Sequence, residues 1–127
     1  MAIAREQALV RLANKSGTDL TGKEGYAVVP NSGLDLAATA NLANTLGVVT
    51  NGGAAESDIA ICGAYGGVVR VKLGGSVTVG AKLAVANGGT FTAYTSGAGT
   101  VAAVALQAGS ADELVEAALL TPITFTA

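Results

Sequence analysis

The sequence predicts an all-β fold, a small Gly-rich β-barrel or sandwich carrying an extended N-terminal arm. Three observations predict it. Short β-prone runs recur between Gly and Asn-Gly turn signals, at a spacing of about eight to twelve residues. Side chains are small throughout, with 26 Ala and 18 Gly in 127 residues, which suits tight turns and close backbone approach. Val69-Arg70-Val71-Lys72-Leu73 alternates apolar and basic residues, the mark of a strand with one buried and one wet face. The length fits one domain. We read residues 1–15 as the arm and 16–127 as a single β-rich domain.

The elements follow in order. Ala2–Asn14 is compatible with a short helix stopped near Gly17, or with an arm running into a strand; the alternation around Val10, Arg11, Leu12 and Ala13 favours the second. Lys15-Ser16-Gly17 and Thr21-Gly22-Lys23 are turns. Tyr26–Val29 is a strand closed by Pro30, and Asn31-Ser32-Gly33 turns the chain. Leu36–Leu42 is too Ala-rich for a clear strand and too short for a clear helix. Leu46–Thr50 is a strand ending in Asn51-Gly52-Gly53, where Asn-Gly supplies the positive φ of a tight hairpin. Asp58–Cys62 is apolar on both faces and predicts a buried strand.

Beyond the alternating strand, Gly74-Gly75 leads into Val77-Thr78-Val79, and Lys82–Val85 precedes a second Asn-Gly turn, Asn87-Gly88-Gly89. That segment echoes Leu46–Gly53, either as a duplicated unit or as two independent turns. Thr90–Tyr94 and Val101–Leu106 are strands separated by a Ser-Gly-Ala-Gly loop. Ser110 and Glu113 have the spacing of a helix capping box, yet Leu114–Leu120 reads as well as a strand with Glu116 facing out, and we take the strand. Pro122–Phe125 is extended.

Composition excludes much chemistry. With no His, a Ser-His-Asp triad, a Cys-His dyad and any His-ligated metal are absent. A lone Cys62 allows neither an intrachain disulfide nor a thiolate zinc cluster. Seven basic against nine acidic residues argue against direct nucleic-acid binding. The uncharged stretches Leu36–Ala55 and Leu83–Ala111 are broken by Asn, Thr, Ser and Gly and do not suit a membrane helix. No cofactor is expected. Without Ala, hydrophobic residues are only about 30% of the chain, a thin core that copies sharing an interface would relieve. Asp112, Glu113 and Glu116 form an acidic cluster, Glu56 and Asp58 flank a turn, and Arg70, Lys72 and Lys82 make a small basic stripe; each reads first as a solvated face.

The segment Val69–Leu83, with Asn87-Gly88-Gly89-Thr90-Phe91, Gly99–Leu106, Asp112–Glu116, and the earlier Gly25–Val29 and Leu46–Val49, resembles the bacteriophage capsid decoration (head cement) proteins over roughly residues 10–120. The resemblance implies a non-enzymatic virion protein bound to the major capsid protein on the outside of an icosahedral head. It implies a homo-oligomer, a trimer at local three-fold positions, made in the host cytoplasm. On that reading the arm meets the capsid, with Ile3, Arg5, Leu9 and Arg11 as candidate contacts. The alternative is a small β-module binding a carbohydrate or other surface ligand, as in a head fibre or tail accessory protein. Its aromatic supply is Tyr26, Tyr65, Phe91, Tyr94 and Phe125, with Tyr65 the first candidate. A carboxylate-only enzyme acting through Asp112 and Glu116 is the third reading.

Overall fold

The computed structural model describes residues 9–14, 17–31, 33–63 and 67–126. They form ten strands in two five-stranded sheets: β1 (Leu9–Ala13), β2 (Ala27–Pro30), β3 (Leu34–Leu36), β4 (Gly47–Asn51), β5 (Asp58–Gly63), β6 (Val68–Lys72), β7 (Lys82–Val85), β8 (Phe91–Ala93), β9 (Gly99–Ala105) and β10 (Leu114–Phe125). The first sheet, A, has the order β1-β5-β4-β2-β3, and the second, B, the order β6-β10-β9-β7-β8. Neighbouring strands pair antiparallel throughout. The architecture is an open sandwich and not a closed barrel; the outer strands of sheet B meet only at an isolated bridge between Leu73 and Phe91. Each sheet is built from one continuous half of the chain.

Alternation decides which side chains meet between the sheets. Ala27, Val29, Val48 and Cys62 of sheet A pack with Val71, Leu83, Phe91, Ala103, Ala117 and Leu119 of sheet B. The opposite face of sheet A is also buried, around Leu20, Val28, Leu34, Val49, Ile59 and Ile61. Hence β5 is buried on both faces from Ile59 onward, as its apolar sequence predicts. The β6 alternation holds as well: Arg70 is exposed while Val71 and Leu73 are buried.

The chain exposes 6197 Å², against about 6,100 Å² expected of a compact monomer of this mass. Alanines at 27, 37, 102, 103, 105 and 117 are almost wholly buried. Their small side chains let the layers approach closely, so few large residues suffice.

Several local expectations change. Asn51-Gly52-Gly53 does not make a two-residue hairpin. β4 and β5 are joined by residues 52–57, and the positive φ falls on Glu56 at 73°. Gly52 is instead required for space, since a Cβ there would overlap the Leu20 carbonyl. Val77–Val79 is not a strand: Val77 makes one bridge to Gly109 and Val79 is left 66% exposed. The stretch Leu36–Leu42 divides between the end of β3 and a six-residue 3-10 helix, Thr39–Asn44. The capping-box pair is present but opens a strand. Glu113 Oε1 accepts from the Ser110 N–H at 2.8 Å, and Asp112 then turns the chain at φ 71° into β10. The echo between Leu46–Gly53 and Leu83–Gly89 does not extend to topology, because β4 lies mid-sheet and β7 next to an edge.

Asn14 closes β1 and binds three segments together. Its Oδ1 accepts from the Leu34 N–H and its Nδ2 donates to the Thr18 carbonyl, both at 2.8 Å. Its backbone N–H donates to Ser57 O, and its carbonyl accepts from Gly17 N and Glu56 N. The residue is 1% exposed. Asn14→Ala orphans a buried backbone donor and is expected to cost about 1–3 kcal/mol, read as a lowered urea midpoint at unchanged m-value.

Candidate interaction surface

Of the four candidate capsid contacts, Ile3 and Arg5 lie outside the described residues. Leu9 and Arg11 lie in β1, in register with Cys62 and Ala60 of β5. Arg11 is exposed. The segment read as arm therefore includes, at 9–13, an edge strand of sheet A, matching the arm-then-strand alternative for that stretch. Tyr65 also lies outside the described residues.

The acidic candidates are dispersed by the fold. Glu113 holds the turn before β10, while Glu116 stands on the outer face of sheet B in register with Arg70. The basic stripe is thus met by a carboxylate across the β6–β10 pair, an arrangement that stabilises a wet sheet face. Lys82 sits further along the same face, in register with Val104. Among the described residues, no group of three or more Cys, Asp or Glu is placed to hold a metal ion. No helix among them is long and apolar enough to cross a membrane. Cys62 is fully buried in the inter-sheet core.

Asp19 is fully exposed, and hydrogen bonds from the Thr21 hydroxyl (2.7 Å) and the Thr21 N–H (2.9 Å) hold its carboxyl below the ordinary value of 3.8. A lowered folded value means the carboxylate is favoured in the folded chain, and this small contribution is lost as pH falls through that value. In Thr21→Ala the hydroxyl donor is gone and the backbone donor remains. The Asp19 titration midpoint, followed by NMR, is expected to move up towards 3.8 without passing it.

Two grooves flank the sandwich. One, of about 370 Å³, runs between Glu24, Thr50, Val69, Arg70, Leu114 and Glu116. Glu24 accepts from the Gly52 N–H at 3.0 Å, and Arg70 and Glu116 stand in register across the β6–β10 pair. The other, of about 390 Å³, lies between the 3-10 helix and the ends of β9 and β10, lined by Leu42, Ala43, Thr100, Thr124 and Phe125 among others, none of them charged. The Thr100 and Thr124 hydroxyls there satisfy each other at 3.1 Å.

The outer face of sheet B carries several partly exposed apolar side chains. Leu83, Ala103 and Leu119 form an inward-facing row, so the neighbouring row Lys82, Val104, Ala118, Val68 faces out. A register shift follows in both β9 pairings; Ala84, Val101 and Ile123 come next on that side, where Ala84 and Val101 are buried and only Ile123 is exposed. Beyond them Tyr94 stacks on Phe125, with ring centroids 5.3 Å apart and planes 20° from parallel. Gly99, opposite Phe125, makes room for the stack, since a Cβ there would stand 3.2 Å from the Tyr94 ring. Ile123 and Phe125 remain 53% and 42% exposed. Sequence reading singled out Tyr94 and Phe125 only as scarce aromatics; register is what joins them to Ile123 and Val104.

No protein-family model matches the sequence, and no curated protein is significantly similar to it. The fold, however, is similar to a solved structure, the N base of head fiber gp8.5 in bacteriophage phi29. The match has a TM-score of 0.63 and covers 89% of this chain and 95% of that one, at 13% sequence identity.

Proposed function

We propose that this chain is a structural protein of a phage virion, carried on the exterior of an icosahedral head as a trimer at local three-fold positions. The observation that carries the reading is the two-sheet fold, similar over 89% of the chain to the base of a phage head fibre. The sequence resemblance to head decoration proteins points to the same setting from independent features. The partner is the major capsid protein, and the task is bracing the shell through many weak contacts acting together. Such a role needs no catalytic group and no cofactor. The chain is made in the host cytoplasm and assembles onto finished heads.

A second reading is favoured by the same comparison: the chain serves as the base of a head fibre and presents further structure outward. Both readings require attachment to the head. The test is cosedimentation of the purified protein with empty heads of the virus that encodes it. Saturable binding at a fixed number of copies per head is expected; no binding across the concentration range overturns both readings. Truncation should remove residues 1–8 only, because 9–13 belong to sheet A. That truncation and Arg11→Glu are each expected to lower head occupancy at equal concentration, and full occupancy by both would remove the arm from the contact.

A further inference from the structure

The geometry points to Asn51-Gly52 as a self-modification site, where an asparagine converts itself to aspartyl and isoaspartyl forms at a rate set by the exposed hydrogen bond between Gly52 and Glu24. The chemistry is the same wherever the chain is carried. An asparagine followed by glycine is chemically labile, because glycine leaves the next amide unshielded. In the reaction the Gly52 nitrogen bonds to Asn51 Cγ, the Cγ–Nδ2 bond breaks, and ammonia leaves with the amide proton. Water then adds to either carbonyl of the cyclic imide and breaks its bond to nitrogen. The products are aspartate or isoaspartate at position 51.

The structure separates this site from the others of its kind. Asn31, Asn51 and Asn87 each precede a glycine or a serine. At Asn87 both reacting groups are tied: Oδ1 accepts from the Thr39 N–H at 3.0 Å, and the Gly88 N–H donates to the Ala37 carbonyl at 2.8 Å. The turn is closed around them by Ala86 N–H to Thr90 O and Ala27 N–H to Gly89 O, both at 2.8 Å. Asn31 Nδ2 donates to Asp35 Oδ2 at 2.9 Å. Asn51 is exposed, and its side-chain amide makes no hydrogen bond among the described residues. It is also the last residue of β4, just past the irregularity between Val49 and Asn51 in the pairing with β5. A strand end opens at lower free energy than a strand interior, so the backbone there can turn into the reactive conformation.

What restrains Asn51 is the Gly52 N–H, which donates to Glu24 Oε2 at 3.0 Å. Asn51 Cγ has to arrive where that proton points. The carboxylate fills this position, and its charge opposes forming a negative nitrogen beside it. Glu24 is exposed, so the bond exchanges with water and slows the reaction by about tenfold without abolishing it. The products fit poorly. Gly52 passes the Leu20 carbonyl so closely that a Cβ would overlap it, and Leu20 N–H donates to Gly53 O at 2.8 Å. Isoaspartate adds a methylene to the main chain just before that contact. Aspartate places a second carboxylate next to the amide that Glu24 holds. Either loosens the seam that seats the fully buried Leu20 in the outer core of sheet A. Conversion is a one-way mark of chain age with a local structural result.

The experiment incubates the folded chain at neutral pH and follows each asparagine by tryptic mapping with tandem mass spectrometry. Cleavage after Lys23, Arg70 and Lys82 puts Asn51 in peptide 24–70 and Asn87 in peptide 83–127, and fragmentation assigns the position within each. In the folded chain Asn51 is expected to convert at least about tenfold faster than Asn87. In urea, where the fold no longer ties Asn87, the two are expected to convert at similar rates. Glu24→Ala, with unchanged far-UV circular dichroism, is expected to raise the Asn51 rate about tenfold and leave Asn87 unchanged. Conversion at Asn87 as fast as at Asn51 in the folded chain overturns the inference. So does an Asn51 that converts only in urea, and so does a folded Glu24→Ala that reacts no faster than the native chain. If Glu24→Ala fails to fold, the folded-against-urea comparison on the native chain decides alone.

Discussion

Phe91→Ala is expected to remove about 3–5 kcal/mol of folding stability, a large share of the about 5–15 kcal/mol typical of a domain. Phe91 is fully buried and the largest of the buried side chains. It reaches the inter-sheet core from β8, the edge strand of sheet B. The core around it is Val, Leu and Ala, and alanine has no rotamer with which to fill a void. The site cannot collapse, so the cavity cost comes on top of the lost burial. Phe91→Leu keeps much of the volume and should cost less than half as much. Denaturant melts of both variants test this; equal costs for the two would show that volume is not what Phe91 supplies.

Gly89→Ala is expected to cost about 2–4 kcal/mol, combining left-handed backbone strain with overpacking. Gly89 has φ 92°, and a Cβ there would stand 2.8 Å from the Ala27 carbonyl oxygen. The turn is one of the places where the sheets are joined. Ala27 N–H donates to Gly89 O and Gly88 N–H to Ala37 O, both at 2.8 Å, and Thr39 N–H donates to Asn87 Oδ1 at 3.0 Å. Gly88 supplies the control, since its φ is 93° but a Cβ there meets nothing within 4 Å. Gly88→Ala should therefore show the backbone cost alone, about 1–2 kcal/mol. Equal destabilisation in the two variants would mean that the close approach to Ala27 contributes nothing.

These two glycines also show what the sequence reveals and what it withholds. Asn87-Gly88-Gly89 and Asn51-Gly52-Gly53 look alike as turn signals. Only the first makes a hairpin with positive φ, because its two glycines lie within the five-residue turn 86–90 that joins β7 to β8. The second is drawn out by a contact 32 residues away in the chain, where Gly52 passes the Leu20 carbonyl. Local patterns thus gave the alternating β6, the doubly buried β5 and the extended β10. They could not give pairing partners, because β6 meets β10 across more than forty intervening residues.

The outer face of sheet B was the least legible part. Val104, Ala118 and Ile123 are unremarkable as letters and become neighbours only through register. The register shift between Leu119 and Ile123 matters most, since alternation carried straight through β10 would misplace the faces after it. The acidic letters misled in the opposite sense. Asp112, Glu113 and Glu116 are close in sequence, but one turns the backbone, one holds the turn and one faces Arg70.

The division of the chain into one sheet per half has a consequence for synthesis on the ribosome. Sheet A is complete once Gly63 has emerged, whereas β6 cannot pair until β10 follows it out. At about 5–20 residues per second, the stretch from 63 to 125 takes about 3–12 s to be made. During that interval a finished first layer presents Ala27, Val29, Val48 and Cys62 with no second layer to cover them. Those residues are small and weakly adhesive, so the nascent chain offers chaperones and neighbouring polysomes a modest target. The same alanine and valine that let the layers pack closely also protect the half-made protein until its last strand arrives.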